Sequence, residues 1–153
     1  MNVFTGVSGT MMDFLDGDCS AGQPRGSDRV LKVLLAEDNA VNRVATQLIL
    51  QHLGHRADVA VNGVEVLQAV DREDYDVVLM DLQMPLMDGL EAARRLRDGR
   101  HRGRLPRIIA LSASDAGEER ELCLASGMQD FLRKPIRLDD LSVALARCQD
   151  AAP

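Results

Sequence analysis

From residue 30 onward, short apolar runs alternate with amphipathic segments five times along the chain. The runs are almost continuously apolar, as strands must be when helices cover both faces of their sheet. Such alternation is typical of right-handed βαβ units, in which a helix connects two parallel strands. The sequence therefore predicts an α/β domain with a doubly wound, five-stranded parallel sheet and five helices. The predicted strands are residues 30–36, 56–61, 77–81, 107–111 and 130–133, and the predicted helices are residues 41–53, 64–71, 90–98, 117–126 and 138–148.

The first predicted helix has recognisable ends and a regular apolar pattern. Asn39 is a suitable N-cap, and Gly54 is a suitable stop. Five residues recur at helical spacing and indicate one apolar face, namely Val41, Val44, Ala45, Leu48 and Ile49.

Composition and charge exclude a nucleic-acid binder and a membrane protein. The 153 residues are 46% hydrophobic and 27% charged, and the formal net charge is −6. The three cysteines are odd in number and share no metal-ligand spacing, so reduced thiols in the cytoplasm are expected. No apolar run approaches the roughly 20 residues that span a bilayer, and the N-terminus does not resemble a secretory signal. We expect a soluble, cytoplasmic domain without nucleic-acid or membrane contacts.

The N-terminal segment differs in character from the remainder. Residues 1–28 are rich in Gly, Ser and Asp and show no sustained periodicity. This composition predicts a flexible linker or N-terminal arm, with residues 29–150 forming the folded domain.

Chemically reactive side chains stand at the ends of four of the five predicted strands. Glu37 and Asp38 follow the first strand, Asp81 ends the third, Ser112 follows the fourth and Lys134 follows the fifth. In open α/β sheets, ligands bind beyond the carboxyl ends of the strands, near the point where the strand order reverses. The topology therefore predicts that three carboxylates, a hydroxyl and an ammonium group meet at one edge of the sheet.

Three carboxylates at one edge repel each other unless a cation lies among them. Oxygen ligands of this kind suit Mg²⁺, which commonly acts together with phosphate groups. Asp81 would then be a nucleophile that attacks phosphorus and forms an aspartyl phosphate. Lys134 would pair with Asp81 and later with a phosphoryl oxygen, and Ser112 would donate a hydrogen bond to another oxygen.

Four segments resemble, in order and spacing, the signature segments of the receiver (response-regulator) domain of two-component signalling. The resemblance extends from about Leu31 to Cys148 and implies a flavodoxin-like topology. The four segments are LLAEDNAVNR, VVLMDLQMPLMDGLEA, IIALSA and DFLRKP.

The resemblance implies a metal site and a phosphoacceptor. Asp81 would be the phosphoacceptor, and Asp38 and Asp81 would bind Mg²⁺ directly. Glu37 would act through water, and the backbone carbonyl of Gln83 would complete the protein ligands. Gln83 and Ser114 occupy positions that tune dephosphorylation in the family. Because Ser114 is neither an acid nor an amide, slow self-dephosphorylation is expected.

The resemblance also implies a conformational switch. Ser112 would be the switch hydroxyl, Phe131 the switch aromatic and Lys134 the phosphate-binding lysine. The Lys134–Pro135 bond would be cis, as is typical of the family. Phosphorylation would draw Ser112 toward the phosphoryl group, let Phe131 turn inward and change the surface of the fourth helix, fifth strand and fifth helix.

The expected partner is a histidine kinase or a histidine phosphotransfer domain. EDNAVNR and DLQMPLMDGLEA resemble receivers attached to hybrid sensor histidine kinases, so the parent chain would be such a kinase. The isolated domain would not be an enzyme, apart from assisting its own phosphorylation and dephosphorylation. The sequence leaves room for a homodimer and does not identify the donor kinase or the stimulus.

Several alternatives remain open from the sequence. A stand-alone or regulator-attached receiver would have the same site, and a binding-only receiver-like module would have the same fold without phosphorylation. A phosphohydrolase with an aspartyl-phosphate intermediate would need a second acid where Gln83 stands. A flavin-binding domain of this topology would need a phosphate-cradling loop after the first strand, where EDNAVN is acidic.

Overall fold

A computed structural model describes residues 29–99, 104–114 and 117–151. Five strands alternate with five helices, which confirms the predicted doubly wound α/β fold. The strands are β1 (Lys32–Ala36), β2 (Arg56–Ala60), β3 (Val77–Asp81), β4 (Arg107–Ser112) and β5 (Asp130–Arg133). The helices are α1 (Ala40–His52), α2 (Gly63–Arg72), α3 (Gly89–Asp98), α4 (Gly117–Ala125) and α5 (Leu138–Ala151).

The predicted element boundaries differ from the observed ones by at most two residues, except at the end of α5. β1 begins two residues later than predicted, at Lys32, and α5 continues three residues beyond Cys148. The N-terminal arm predicted for residues 1–28 lies outside the described residues, so the domain boundary stays a prediction. Within the described ranges, no helix is long and apolar enough to cross a membrane.

All five strands are parallel and follow the order β2-β1-β3-β4-β5. The order reverses between β1 and β3, because the chain first adds β2 on one side and then continues on the other. This reversal opens a crevice at the carboxyl ends of β1 and β3, where ligands of doubly wound sheets bind. The register aligns Ala36 with Met80, so the residues that follow β1 lie beside the end of β3.

The core consists of two apolar layers, one on each face of the sheet. Val78 and Met80 of β3 pack with α2 and α3, whereas Val77 and Leu79 pack with α1 and α5. All five residues of β3 are buried, since successive side chains of a strand point to opposite faces and both faces are covered. The central strand is thus held rigidly up to its last residue, Asp81.

The apolar pattern of α1 does not mark its buried face. Val41, Val44 and Leu48 are 78%, 53% and 59% exposed, and Ala45 is exposed as well. The helix packs on the core through Leu50, on the opposite side, and only Ile49 of the five predicted residues is partly buried against the core. The predicted apolar face is therefore largely exposed, and it is not the face by which α1 packs on the core. Helical spacing identifies a stripe along a helix but does not say what covers it.

The predicted ends of α1 are confirmed by their hydrogen bonds. The side chain of Asn39 accepts a hydrogen bond from the backbone N–H of Asn42 at 3.0 Å, as an N-cap does. Gly54 has a φ of +86°, a left-handed conformation that favours glycine after a helix. The Asn39 cap thus fixes the start of α1 a few residues after the carboxyl end of β1.

Candidate functional site

Three carboxyl groups converge at the carboxyl ends of β1 and β3. Oxygen atoms of Glu37, Asp38 and Asp81 all lie within 4.8 Å of one another. Glu37 and Asp81 are buried, at 2% and 4% exposure, whereas Asp38 is exposed. The arrangement follows from the sheet register, which places the residues after Ala36 next to Asp81. The predicted convergence of the three acids is therefore found in the structure.

Lys134 lies between two of these acids. Its Nζ is 3.1 Å from Oε1 of Glu37 and 3.0 Å from Oδ1 of Asp81. The backbone N–H of Lys134 donates a 2.6 Å hydrogen bond to the carbonyl oxygen of Ser112, which ties the lysine to the end of β4. The Lys134–Pro135 peptide bond, for which the family resemblance implied a cis form, is cis. Residues from three separate strand ends thus share one ion-pair cluster.

Burial and neighbouring charges shift the pKa values of Glu37 and Lys134. Burial raises the pKa of Glu37, the Asp81 carboxyl raises it further, and the bond to Lys134 only partly offsets both effects. Burial alone would lower the pKa of Lys134, but its hydrogen bonds to Asp81 and Glu37 outweigh burial, so its pKa is raised. Lys134 therefore stays charged at neutral pH, and it stabilises buried carboxylates that would otherwise repel each other.

The donor set of this site fits a hard divalent cation. Three carboxylates face one ammonium group, which leaves an excess of negative charge, and all the candidate ligands are oxygen atoms. An open cleft leads to the cluster, and it is lined by residues of the β1–α1 connection, the first turn of α1 and the β3–α3 connection, including Asn39, Asn42 and Gln83. The chemistry of these ligands matches Mg²⁺, which takes a few carboxylate oxygens and keeps several waters.

Backbone contacts within the β3–α3 connection hold Asp81 in place. The backbone N–H of Gln83 donates a 3.2 Å hydrogen bond to Oδ1 of Asp81, and the N–H of Gly89 donates to the carbonyl oxygen of Leu82 at 3.1 Å. A Cβ atom at Gly89 would overlap the backbone carbonyl oxygen of Asp81. Only glycine allows this close approach of α3 to the end of β3.

The remaining predicted residues, Ser112, Ser114 and Phe131, take no part in the ion pairs of Lys134. Ser112 is buried at the end of β4, and its hydroxyl donates to Oε1 of Glu119 on α4. Ser114 is exposed, and its backbone N–H donates to the Ser112 hydroxyl oxygen at 3.0 Å. Phe131 is half-buried on β5, and the guanidinium of Arg120 lies 5.6 Å from its ring centre.

Glu119 and Arg120 are the two functional candidates that sequence reasoning missed. Both lie in the first turn of α4, where acidic residues are common because they interact favourably with the helix dipole. The neighbouring Glu118 therefore looks equivalent to Glu119 in the sequence. Only the position of α4 over the end of β4 distinguishes them.

Comparisons with known proteins agree with this geometry. The family model for the response regulator receiver domain matches residues 33–146. Hybrid signal transduction histidine kinase B from Dictyostelium discoideum is 37% identical over 79% of this chain, and histidine protein kinase 1 from Candida albicans is 43% identical over 76%. These matches cover only 7% and 5% of the two relatives, so the chain spans a small part of their length.

Solved receiver structures superpose on most of the chain. The receiver domain of a sensor histidine kinase from Pseudomonas aeruginosa, with a magnesium ion coordinated in its active-site cleft, is 36% identical, with a TM-score of 0.70 over 78% of this chain and 97% of that one. A Saccharomyces cerevisiae response-regulator receiver, co-crystallised with a histidine phosphotransfer protein, is 29% identical, with a TM-score of 0.72 over 78% of this chain and 89% of that one. The carboxylate–lysine cluster, the strand order and these matches together show that the chain belongs to the response regulator receiver domain family.

Proposed function

We propose that this chain accepts a phosphoryl group on Asp81 from a phosphohistidine, as the receiver of a two-component phosphorelay. The observation that carries the proposal is the contact of Lys134 Nζ with both Asp81 and Glu37 beside Asp38, at the mouth of an open cleft. An oxygen of Asp81 forms a bond to phosphorus as the bond from phosphorus to the donor imidazole breaks. The imidazole nitrogen keeps the electron pair and takes up a proton.

Mg²⁺ is the cofactor that these residues would hold. Asp38 and Asp81 would bind it directly, Glu37 through water and Gln83 through its backbone carbonyl. When bound, Mg²⁺ neutralises charge on the phosphoryl oxygens as they approach the carboxylates. Lys134 leaves its partners Glu37 and Asp81 and binds a phosphoryl oxygen, so the amine that stabilises the resting site also stabilises the product.

The phosphoryl group then acts on the switch residues. Ser112 donates its hydroxyl proton to a phosphoryl oxygen, and Phe131 turns inward into the space that Ser112 leaves. The surface of α4, β5 and α5 changes as a result. Gln83, which lines the cleft, and Ser114, which is exposed, tune the later loss of the phosphoryl group. This loss is slow because the Ser114 side chain positions water poorly.

The proposed donor is a histidine kinase or a histidine phosphotransfer domain. The exposed apolar strip of α1, formed by Val41, Val44, Ala45 and Leu48, supports a helical partner. The strip begins one residue after Ala40, which lines the cleft that opens on Asp81. A helix packed along this strip would place a histidine over the cleft.

The relatives support a hybrid histidine kinase as the parent protein, whereas this domain alone only assists its own phosphorylation and dephosphorylation. A homodimer and a cytoplasmic location stay predictions. Sedimentation analysis with and without phosphorylation tests the first, and a fluorescent fusion of the full-length protein tests the second.

The test of the central proposal is direct labelling. We expect the protein, incubated with Mg²⁺ and acetyl phosphate, to gain one phosphoryl group by intact-mass measurement. Asp81→Asn should gain none, because an amide is not nucleophilic at neutral pH. Asp98→Asn is the matched control, since it makes the same exchange at an exposed position on α3, and it should be labelled like wild type. A folded wild-type protein that stays unlabelled would favour the binding-only module.

A further inference from the structure

The hydroxyl proton of Ser112 is donated to a group outside the carboxylate–lysine cluster. The hydroxyl donates this proton to Oε1 of Glu119, and its oxygen accepts the backbone N–H of Ser114 at 3.0 Å. Ser112 is 3% exposed, so water does not compete freely for this proton. A serine hydroxyl has one proton to donate. It therefore cannot donate to Glu119 and to a phosphoryl oxygen at the same time.

We propose that Glu119 is a positioning residue that holds the switch hydroxyl of Ser112 in the unphosphorylated state and must release it when Asp81 carries a phosphoryl group. This inference rests on the proposed function, because it assumes that Ser112 turns to the phosphoryl group. A hydrogen bond from a hydroxyl to a carboxylate is among the stronger ones in proteins. The free energy needed to break this bond opposes phosphorylation and sets the balance between the unphosphorylated and phosphorylated states.

The position of Glu119 links this bond to α4. Glu119 lies in the first turn of the helix, and the next residue, Arg120, has its guanidinium over the ring of Phe131. One helical turn therefore contacts both switch side chains. Cys123 is the buried residue of α4, whereas Leu122 and Leu124 are half exposed. Because few side chains of α4 are buried, the bond between Ser112 and Glu119 is one of the contacts that hold its first turn, and release of Glu119 removes it.

Beryllofluoride, which binds an aspartate as a mimic of a phosphoryl group, measures the effect without turnover. We expect Glu119→Ala to bind beryllofluoride about tenfold more tightly than wild type at saturating Mg²⁺, because the competing hydrogen bond is gone. Isothermal titration calorimetry gives the affinity in a protein that has no tryptophan. Glu119→Gln retains an acceptor oxygen of the same shape and should show a smaller gain.

Glu118→Ala is the matched control, since it removes the same charge from the same turn at an exposed position. It should bind beryllofluoride like wild type. In a Ser112→Ala background, the gain from Glu119→Ala should disappear, because no hydroxyl remains to be held. This double-mutant comparison separates the proposed role from a general effect of charge or helix stability.

The outcomes distinguish the two proposals. If wild type does not bind beryllofluoride, the proposed function fails and the role of Glu119 fails with it. If wild type binds but Glu119→Ala and Glu118→Ala behave alike, only the role of Glu119 is overturned. A gain that persists in the Ser112→Ala background overturns it as well, because the effect would then not pass through the hydroxyl.

Discussion

At the residue scale, Leu86 combines an unfavourable backbone conformation with a side chain that is almost fully exposed. It has a φ of +68°, in the left-handed region that leucine avoids, and its side chain is 84% exposed. The loop that contains Leu86 is held by the start of α2, since the N–H of Gly63 donates to the carbonyl oxygen of Met87 at 3.0 Å. The close fit of Gly63 against Met87 leaves no room for a Cβ atom there. Leu86 is thus kept in an unfavourable conformation by its neighbours and gains no burial in return.

We expect Leu86→Asn to raise the free energy of unfolding by about 0.5–1 kcal/mol, because asparagine adopts the left-handed conformation at lower cost. Urea denaturation of the two proteins measures the difference. Leu105→Asn is the matched control, because Leu105 is also exposed and lies outside the helices and strands. It should change stability little. If both substitutions changed the free energy of unfolding equally, the cause would be the removal of an exposed apolar side chain. The backbone conformation of residue 86 would then not be responsible.

The positions of single site residues could be predicted where the sheet topology determines them. Asp81 and Lys134 end up in contact because parallel strands all end at the same edge, and strand ends can be read from the sequence. The bond between Ser112 and Glu119 could not be predicted, because it depends on how α4 packs across the end of β4. The conformation of Leu86 was missed for a similar reason, since its neighbours in space impose it.

At the scale of elements, buried strands were easier to predict than helix orientation. β3 and β5 have the predicted boundaries, because polar residues end each apolar run. In α1, by contrast, two stripes compete for the core, and the less regular one, with Leu50, is the buried one. A sequence contains no signal that separates a stripe facing the core from a stripe facing a partner.

The orientation of α1 leads to a prediction about stability. We expect the double variant Val44→Gln/Leu48→Gln to change the free energy of unfolding by less than about 0.5 kcal/mol, because both side chains already face solvent. Leu50→Ala should lower it by about 2–4 kcal/mol, since Leu50 is completely buried. Chemical denaturation of the three proteins is sufficient. A large loss of stability in the double variant would show that Val44 and Leu48 pack against the core.

Across the whole molecule, the two edges of the sheet have different roles. The carboxyl edge gathers three carboxylates around one lysine, whereas oppositely charged groups pair at the amino edge. There Asp76 accepts the backbone N–H of Lys32 at 2.8 Å and pairs with Arg29 at 2.9 Å. Burial would raise the pKa of Asp76, but these bonds outweigh burial and lower it. The same edge contains His55, whose Nδ1 accepts the backbone N–H of Leu31 at 3.0 Å.

His55 makes the stability of the fold depend on pH in the acidic range. Burial lowers the pKa of His55 below its ordinary value of about 6.5, and the nearby Asp76 offsets this only in part. Protonation of Nδ1 would also break the hydrogen bond from Leu31. In the window between the lowered folded pKa and about pH 6.5, the unfolded chain therefore binds more protons than the native one, so the free energy of unfolding falls as the pH falls.

We therefore expect His55→Gln to lose less stability than wild type between about pH 7 and pH 5, measured by denaturation at several pH values. The raised pKa of Glu37 has the opposite effect on stability, but it is common to both proteins and cancels in the difference. His52→Gln removes an exposed imidazole from the end of α1 and is the matched control, which should follow the wild-type profile. If His55→Gln and wild type ran parallel across this range, the acid sensitivity would have to come from groups other than His55.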